Sequence, residues 1–509
     1  MASEVRLGTA AGRWVVAATV LGSGMAMLDS TVVNIALPAI GHDLNAGLGG
    51  LQWTLDGYLL TLASLILLGG SLADRFGRRR VFLLGTVWFA VASLLCAVSP
   101  TIEVLVVARA LQGIGAALLT PVSLAILQTG LVPQDRTRAI AAWSGLTGVA
   151  IAIGPLVGGW LIDVASWQWI FVINLPVAVA VVLAALRHVP ESRDPSPRGL
   201  DWLGALAGAV SLAALTYGFI QWGESGFTGL TALALALGVL GLAGFVLVER
   251  WSPHPMLPLV LFTNRRFTGT NLVTLGLYAA LSSALFILVV RLQNELHYSP
   301  LAAGVATVPV TLLMLAGSDL AGRISNKIGP QIPLTAGPLV AGLGLAWLGG
   351  VAPGTSYLTG VLPPLVVFGL GLTFVVAPLT ATVLAAAPDE LAGIASGINN
   401  AIARTGGLLG VAVVPLLAGG ISGTAYRYTM WITGGMAVVS GVIGFVSLVG
   451  TRPAPAPAPA PAAGVAGSRE APAEEAPAMR PVSEQPLPRE FSCGAGAPPM
   501  RPGRTAGRV

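Results

Sequence analysis

Fourteen apolar stretches, each long enough to cross a bilayer as a helix, constrain this chain more than any other feature of its sequence. They lie at about 14–40, 51–72, 81–99, 103–127, 139–162, 170–187, 202–222, 230–249, 268–290, 301–320, 334–351, 358–386, 394–418 and 428–450. About 20 apolar residues span the hydrocarbon core. Only 10% of the residues are charged, whereas soluble domains carry about 25%. The sequence therefore predicts an all-α integral membrane protein with 14 transmembrane helices.

The basic residues between these stretches are distributed unevenly, and this predicts the orientation. With the N-terminus inside, the inward loops hold Arg75, Arg78, Arg79, Arg80, Arg136, Arg138, Arg187, Arg193, Arg198, Arg250, Arg265, Arg266, Arg323 and Lys327. The outward loops hold only Arg291 and Arg427. Because cytoplasmic loops are enriched in Lys and Arg, we expect a multi-pass protein of the plasma membrane with both termini in the cytoplasm. The net charge of +5 lies in short loops, so no nucleic-acid partner is expected.

A repeated loop sequence indicates two related halves. "GSLADRFGRRR" begins at Gly70, after the second stretch, and "GRISNKIGPQI" begins at Gly322, after the tenth. Transporters are often built from such repeats, so we predict two pseudo-symmetric six-helix bundles plus two inserted helices. The predicted domains are a cytoplasmic N-terminus at 1–13, an N-terminal bundle at 14–187, a linker with two extra helices at 188–267, a C-terminal bundle at 268–450, and a disordered Pro/Ala-rich cytoplasmic tail at 451–509.

Three of the ionisable side chains within the apolar stretches bear on function, because a charge there costs about 2.5–3.5 kcal/mol and needs a partner, a water-filled cavity or a function. Asp29, in "LDSTVVNIALP", is either a proton-loading site or a packing residue hydrogen-bonded to Asn34 or a neighbouring helix. Arg109 is either a structural, snorkelling arginine or a cavity-facing group that biases the protonation of a nearby acid. Asp56 lies beside Trp53, and its simplest interpretation is an exposed interfacial acid.

The loop "GSLADRFGRRR" predicts a conformational latch. Gly70 and Gly77 permit close helix packing and a tight turn, while Asp74 can pair with Arg75 or Arg78 or cap a helix. The simpler alternative is a basic loop that only sets the orientation.

A second glycine motif, "AIAIGPLVGGW", lies in the fifth stretch. Gly154, Gly158 and Gly159 form a stripe of small residues, and Pro155 can kink the helix. Whether the stripe serves function or packing alone, it predicts a bendable and closely packed seam.

Five motifs in order make this chain similar to a known family: "LDSTVVNIALP", "GSLADRFGRRR", "RALQGIGAA", "GPLVGG" and "SWQWIFVINLP". Over about 1–450 it resembles the fourteen-helix drug:proton antiporters of the major facilitator superfamily, the multidrug and quaternary-ammonium exporter group. The resemblance implies that a first-helix acid and a fourth-helix arginine couple transport to protons. Asp29 and Arg109 match those positions, and the resemblance favours a coupling or cation-contact role for Asp56.

Four further polar residues are candidates to line the transport cavity, namely Asn34, Gln112, Asn400 and Arg404. Arg404 lies in "SGINNAIARTGG", in a span where family members specialised for dications can carry acids. We therefore expect neutral, monocationic or anionic aromatic cargo rather than dications.

These features predict a proton-driven efflux transporter that exports antibiotics or other drug-like compounds by alternating access and confers resistance. The sequence has no P-loop and no metal-ligand spacing among its four histidines, so we expect no enzymatic activity, no metal and no cofactor. The predicted partners are a small-molecule substrate, protons and the lipid bilayer. The predicted oligomeric state is a monomer, and the predicted source is bacterial. The main alternative is a dedicated exporter of one endogenous metabolite, such as an antibiotic or siderophore. A nutrient symporter and a membrane scaffold are less consistent with these motifs.

Overall fold

The computed structural model describes residues 5–195, 199–421 and 423–449. Within these ranges, fourteen helices have the length and apolar composition to cross a membrane. They are α1 (Ala10–Asp43), α2 (Leu48–Phe76), α3 (Arg78–Ala97), α4 (Ile102–Gly130), α5 (Pro133–Val164), α6 (Trp169–His188), α7 (Trp202–Ser225), α8 (Gly229–Trp251), α9 (Arg265–Asn294), α10 (Pro300–Ile328), α11 (Gln331–Leu348), α12 (Tyr357–Ala385), α13 (Ala392–Ala418) and α14 (Thr424–Leu448). The all-α class and the fourteen spans predicted from the sequence are confirmed. The predicted tail at 451–509 lies outside the described residues.

Polar side chains begin several of these helices. Thr9, Thr101 and Ser299 each accept a hydrogen bond from a backbone N–H in the first turn of α1, α4 and α10. Such caps satisfy donors that have no partner within the helix. Consequently α1 begins at Ala10, several residues before its apolar stretch, which hydropathy alone does not reveal.

Two helices depart from regular geometry. In α6, a turn at Ile173 separates a short segment, Trp169–Val172, from the main helix, Asn174–His188. In α12, a π-helical turn at Tyr357–Val361 precedes the α-helix Leu362–Ala385. The turn in α6 matters for function because it lies beside Asn174, a member of the polar network described below.

The two halves of the chain use the same set of helix contacts. In α1–α6, α2 and α3 pack on α4, and α1 packs on α5 and α6. In α9–α14, the helices at the equivalent places do the same, with α10 and α11 on α12 and α9 on α13 and α14. This repetition is the pseudo-symmetry that the loop motif predicted.

The halves meet along two reciprocal seams. The second helix of each half packs on the fifth helix of the other, which gives the pairs α2–α13 and α5–α10. The inserted helices α7 and α8 pack on each other, and α7 also contacts α2 and α13. The insertion therefore lies against the α2–α13 seam and leaves the α5–α10 seam uncovered by these two helices.

Candidate functional site

A buried network of polar side chains surrounds Asp29 inside the first six helices. Asp29 is 1% exposed. Its Oδ2 accepts a hydrogen bond from Arg109 Nη1 at 2.6 Å, and its Oδ1 accepts hydrogen bonds from Gln112 Nε2 at 2.8 Å and Asn174 Nδ2 at 3.2 Å. Both amides also donate to Ser93 Oγ, at 2.8 and 3.3 Å. Side chains from α1, α3, α4 and α6 thus converge on one carboxylate.

Arg109 holds this network to the rest of the half. Its Nε donates to the backbone oxygen of Thr54 at 3.1 Å, and its Nη1 also donates to Gln112 Oε1. The guanidinium carbon lies 4.4 Å from the ring centre of Tyr58 and 5.8 Å from that of Phe171. Aromatic faces attract cations most strongly when both are desolvated. Arg109 is 1% exposed. It is held at once by hydrogen bonds, by its ion pair with Asp29 and by its contact with the Tyr58 ring.

Helical geometry explains why these residues converge. Arg109 and Gln112 are three residues apart on α4, so both side chains project from one face of that helix. That face meets α1 at Asp29, since α1 packs against α4. Burying two opposite charges is costly unless the pair is close and its remaining hydrogen-bonding capacity is satisfied. The amides of Gln112 and Asn174 satisfy the second carboxylate oxygen.

The structure decides between the packing partners considered for Asp29. Its partners are Arg109, Gln112 and Asn174, and not Asn34. Gln112, expected in the cavity, is fully buried within the network. Sequence reasoning did not single out Asn174, although it lies in the quoted motif "SWQWIFVINLP". A polar residue near the start of an apolar span was the available signal.

Asp56 lies apart from this network. It is 0% exposed, so the exposed interfacial acid considered from the sequence is not what the structure shows. Both carboxylate oxygens are buried and accept no hydrogen bond from the described residues. Gln52, one turn earlier on α2, donates to the backbone oxygen of Val411 on α13 at 2.6 Å. Asp56 is therefore a buried acid on the helix that forms the α2–α13 seam.

The loop motif forms an ion-paired turn between α2 and α3. Arg78 donates to Asp74 Oδ1 through Nε at 3.1 Å and Nη2 at 2.6 Å, so Asp74 pairs with Arg78. Arg75 instead lies 5.8 Å above the ring of Phe76. Gly77 has φ of 106°, a conformation that favours glycine.

The same loop binds the segment that leads to the inserted helices. Glu191 Oε1 accepts a hydrogen bond from the backbone N–H of Arg79 at 3.1 Å, and its Oε2 lies 3.7 Å from Arg80 Nε. A Cβ on Gly77 would lie 2.7 Å from Glu191 Oε1. On the opposite side of the motif, Gly70 faces Pro121 of α4.

The glycines of the α5 motif face two different neighbours. Gly154 approaches Thr31, and a Cβ on Gly158 would lie 2.7 Å from Val32 Cγ1, so both pack α5 on α1 within the first half. A Cβ on Gly159 would lie 2.5 Å from Leu301 Cα on α10. The motif therefore joins two helices of its own half and also forms the seam with the other half.

Polar contacts close one end of the interface between the halves, which we call the Asp163 end. Asp163 Oδ2 accepts hydrogen bonds from Ser299 Oγ at 3.0 Å and from the backbone N–H of Leu301 at 3.2 Å. Gln293 of α9 donates to the backbone oxygen of Ile35 on α1 at 2.9 Å. Further along α5, a Cβ on Gly145 would meet nothing within 4 Å. The α5–α10 seam is thus tight at the Asp163 end.

A small cavity of about 90 Å³ lies between the halves beside this closed end. Its lining includes Thr31 and Asn34 of α1, Pro155 of α5, Leu285 of α9 and Thr307 of α10. The Oδ1 of Asn34 is buried and has no hydrogen-bond partner among the described residues. Asn34 thus lines this small cavity, and its place on a transport path stays a prediction.

The remaining two cavity candidates lie on α13. Asn400 is exposed and Arg404 is partly buried. Arg404 Nη2 lies 3.5 Å from Met27 Sδ of α1, so this side chain crosses from the second half to the first.

Comparison with known proteins places the chain among transporters. The family model of the Major Facilitator Superfamily matches residues 19–411. The tetracenomycin C resistance and export protein of Streptomyces glaucescens is 36% identical, over 79% of this chain and 74% of that protein. The puromycin resistance protein of Streptomyces alboniger is 35% identical, over 82% and 86%. A multidrug resistance protein of Mycobacterium tuberculosis is 35% identical, over 80% and 76%.

Solved structures match the same fold at low sequence identity. A peptide transporter crystallised with sulfate superposes with a TM-score of 0.66 at 15% identity, covering 87% of this chain and 96% of the other. A D-xylose–proton symporter superposes with a TM-score of 0.61 at 14% identity, covering 85% and 97%. At such identities the likeness concerns the fold alone.

Proposed function

The chain belongs to the Major Facilitator Superfamily, and from this premise we propose that it is a drug:proton antiporter that exports antibiotics or other hydrophobic, drug-like compounds by alternating access. The resistance and export proteins that it resembles support this direction of transport. The observation that carries proton coupling is the buried pair of Asp29 and Arg109.

Proton loading at Asp29 would remove the charge that holds α1 to α4. Arg109 keeps its bond to the Thr54 backbone oxygen and its contact with the Tyr58 ring, so α4 stays attached to α2. The lost attraction therefore falls on α1. The same helix lines the cavity between the halves through Thr31 and Asn34. A proton on one face of α1 thereby alters the packing of its other face, which couples the charge to the interface.

Alternating access then follows from the differential binding of proton and cargo. A ligand shifts a conformational equilibrium only by the difference in its affinity for the two states. Protonation favours the state in which the contact between α1 and α4 is loose, and deprotonation favours the tight pair seen here. The Gly159 contact and the Asp163 hydrogen bonds hold the Asp163 end closed, so they must break in the state that opens this end.

A dedicated exporter of one endogenous metabolite is the second candidate, with the same mechanism. Two of the similar proteins carry the name of a single antibiotic, tetracenomycin C or puromycin. The two candidates differ in the breadth of their cargo, so a panel of compounds separates them.

The proposal includes the setting of the protein. We place the protein in the plasma membrane. Its basic loops favour an orientation with the Asp74 loop and both termini in the cytoplasm, which makes the Asp163 end extracellular. We further propose a monomer that performs no chemical reaction and binds no nucleic acid. Labelling of single cysteines from either side of sealed cells tests the orientation.

The test of coupling is gradient-driven efflux in inverted membrane vesicles. Ethidium and a small panel of antibiotics serve as cargo, and wild type is compared with Asp29→Asn at equal amounts of inserted protein. We expect the variant to lose pH-gradient-driven transport by about tenfold or more, in the range of ordinary coupling energies.

Asp319→Asn is the matched control. The Asp319 side chain is 77% exposed on α10 and pairs only with the exposed Arg323 among the described residues. It should transport at close to the wild-type rate. Unchanged transport by Asp29→Asn would move coupling to Asp56 or elsewhere, and transport of only one compound of the panel would favour the dedicated exporter.

A further inference from the structure

Arg404 is a cation without a counter-ion inside the membrane-spanning region. It lies near the middle of α13, and within the described parts of the chain no carboxylate comes within 4 Å of its side-chain nitrogens. Its Nε is buried and has no hydrogen-bond partner there. Its only hydrogen-bond contact with a described residue, the thioether of Met27, is with a weak acceptor. A cation at this depth needs a partner, a water-filled space or a ligand.

The acids nearest in the fold do not supply that partner. Asp29 is engaged with Arg109 at 2.6 Å. Asp56 accepts no hydrogen bond from the described residues, so it does not reach Arg404. Since Asp29 and Arg109 pair with each other, Arg404 places a positive charge without an ion-pair partner among the described residues where α13 meets α1.

Two tyrosines, one from each half, interact electrostatically with this charge: Tyr58 of α2, whose ring is buried against Arg109, and Tyr278 of α9. Tyr278 and Arg404 are each only partly buried, although their helices lie within the bundle. Arg404 reaches across the interface to Met27 of α1, so its guanidinium lies between the two halves.

We propose that Arg404 is the recognition residue for an anionic group on an aromatic cargo, such as a carboxylate or a phenolate. A guanidinium presents donors that match a carboxylate in a planar, two-point arrangement. This inference deepens the proposed efflux function, on which it rests, by naming the substrate class of the cavity.

The test measures binding to purified protein in lipid nanodiscs at pH 8, with 1-naphthoate and its neutral analogue 1-naphthamide. Wild type should bind naphthoate about tenfold more tightly than naphthamide, as expected for hydrogen bonds to a charged group. Arg404→Gln should abolish this preference by weakening naphthoate alone, and Arg404→Lys should restore part of it. Arg323→Gln, at a side chain 74% exposed on α10, should match wild type.

Equal affinity of wild type for the two probes would overturn the inference without recourse to any variant. Equal weakening of both probes by Arg404→Gln would also overturn it, because that pattern indicates loss of structure. Transport of ethidium and of naphthoate by proteoliposomes under a pH gradient separates the two proposals. Transport of either compound without a binding preference for naphthoate would refute only the role of Arg404, whereas a binding preference for naphthoate without transport of ethidium or naphthoate would refute only the antiporter.

Discussion

The first and second halves of the molecule share their helix packing but not their interior polar chemistry. The first half buries an ion pair, Asp29 with Arg109, at 2.6 Å. The second half buries a neutral cluster, in which Asn399 Nδ2 donates to Asn271 Oδ1 at 3.0 Å and to Thr274 Oγ1 at 2.8 Å. Duplicated architecture has therefore been filled with different side chains.

This difference suggests a division of labour. A carboxylate exchanges a proton and changes its charge, whereas an amide cluster between α9 and α13 does not titrate. The only free positive charge described in the middle of the second half, Arg404, faces the interface and not its own bundle. We infer that the first half carries the proton and the second half contributes the cargo contact, while the two seams transmit motion between them.

The largest expected effect comes from breaking the ion pair on one side only. Arg109→Gln leaves Asp29 buried without its counter-ion, and such a loss costs about 3–5 kcal/mol. The double variant Asp29→Asn with Arg109→Gln removes both charges, so it should regain most of the melting temperature. It should not regain proton coupling.

Thermal unfolding in detergent and vesicle transport measure these two outcomes separately. Arg323→Gln is the control, because that side chain is 74% exposed. A double variant no more stable than Arg109→Gln would show that the two residues stabilise the protein independently. The ion pair would then not be the interaction that stabilises the interior of the first half.

The next effect concerns the seam that joins the halves. Gly159→Val places methyl groups against Leu301, where even a Cβ is too close, so α5 and α10 must separate at the Asp163 end. We expect transport to fall about tenfold, in the range of conformational coupling energies, with little change in protein level. Spin labels at Val164, at the end of α5, and at His297, in the loop that leads into α10, should report a longer distance across this end.

Gly145→Val is the matched control on the same helix, since a Cβ at Gly145 meets nothing within 4 Å. It should leave the label distance and the transport rate close to wild type. If Gly159→Val leaves the distance unchanged, the tight glycine contact does not keep this end closed, and the seam transmits less than the comparison of the halves implies.

Much of this fold follows from hydropathy, because a bilayer leaves few alternatives to apolar helices. The residues of the buried pair were also visible, since Asp29 and Arg109 interrupt apolar stretches. Their contact was not, because it joins helices about 80 residues apart and depends on α1 packing against α4. Here the resemblance to a family, and not local periodicity, connected the two positions.

Other parts of the site were hidden by ordinary chemistry. Ser93 also bonds the backbone oxygen of Phe89 one turn earlier, which is what serines in membrane helices commonly do. Nothing local distinguishes it from Ser123, which bonds Leu119 in the same way. Gly158 and Gly159 are adjacent in sequence, yet they face different halves, and only the packed structure separates their roles.

The smallest effect tests the neutral cluster of the second half. Asn399→Leu removes two hydrogen bonds, and such bonds average about 0.6 kcal/mol in a membrane protein, so we expect about 1 kcal/mol of destabilisation. Proton-coupled transport should persist, because no titrating group is lost. Asn294→Leu, at an exposed position at the end of α9, is the control for the melting temperature. Loss of proton coupling in Asn399→Leu without loss of stability would show that the second half also takes part in proton coupling. It would contradict the division of labour inferred for the two halves.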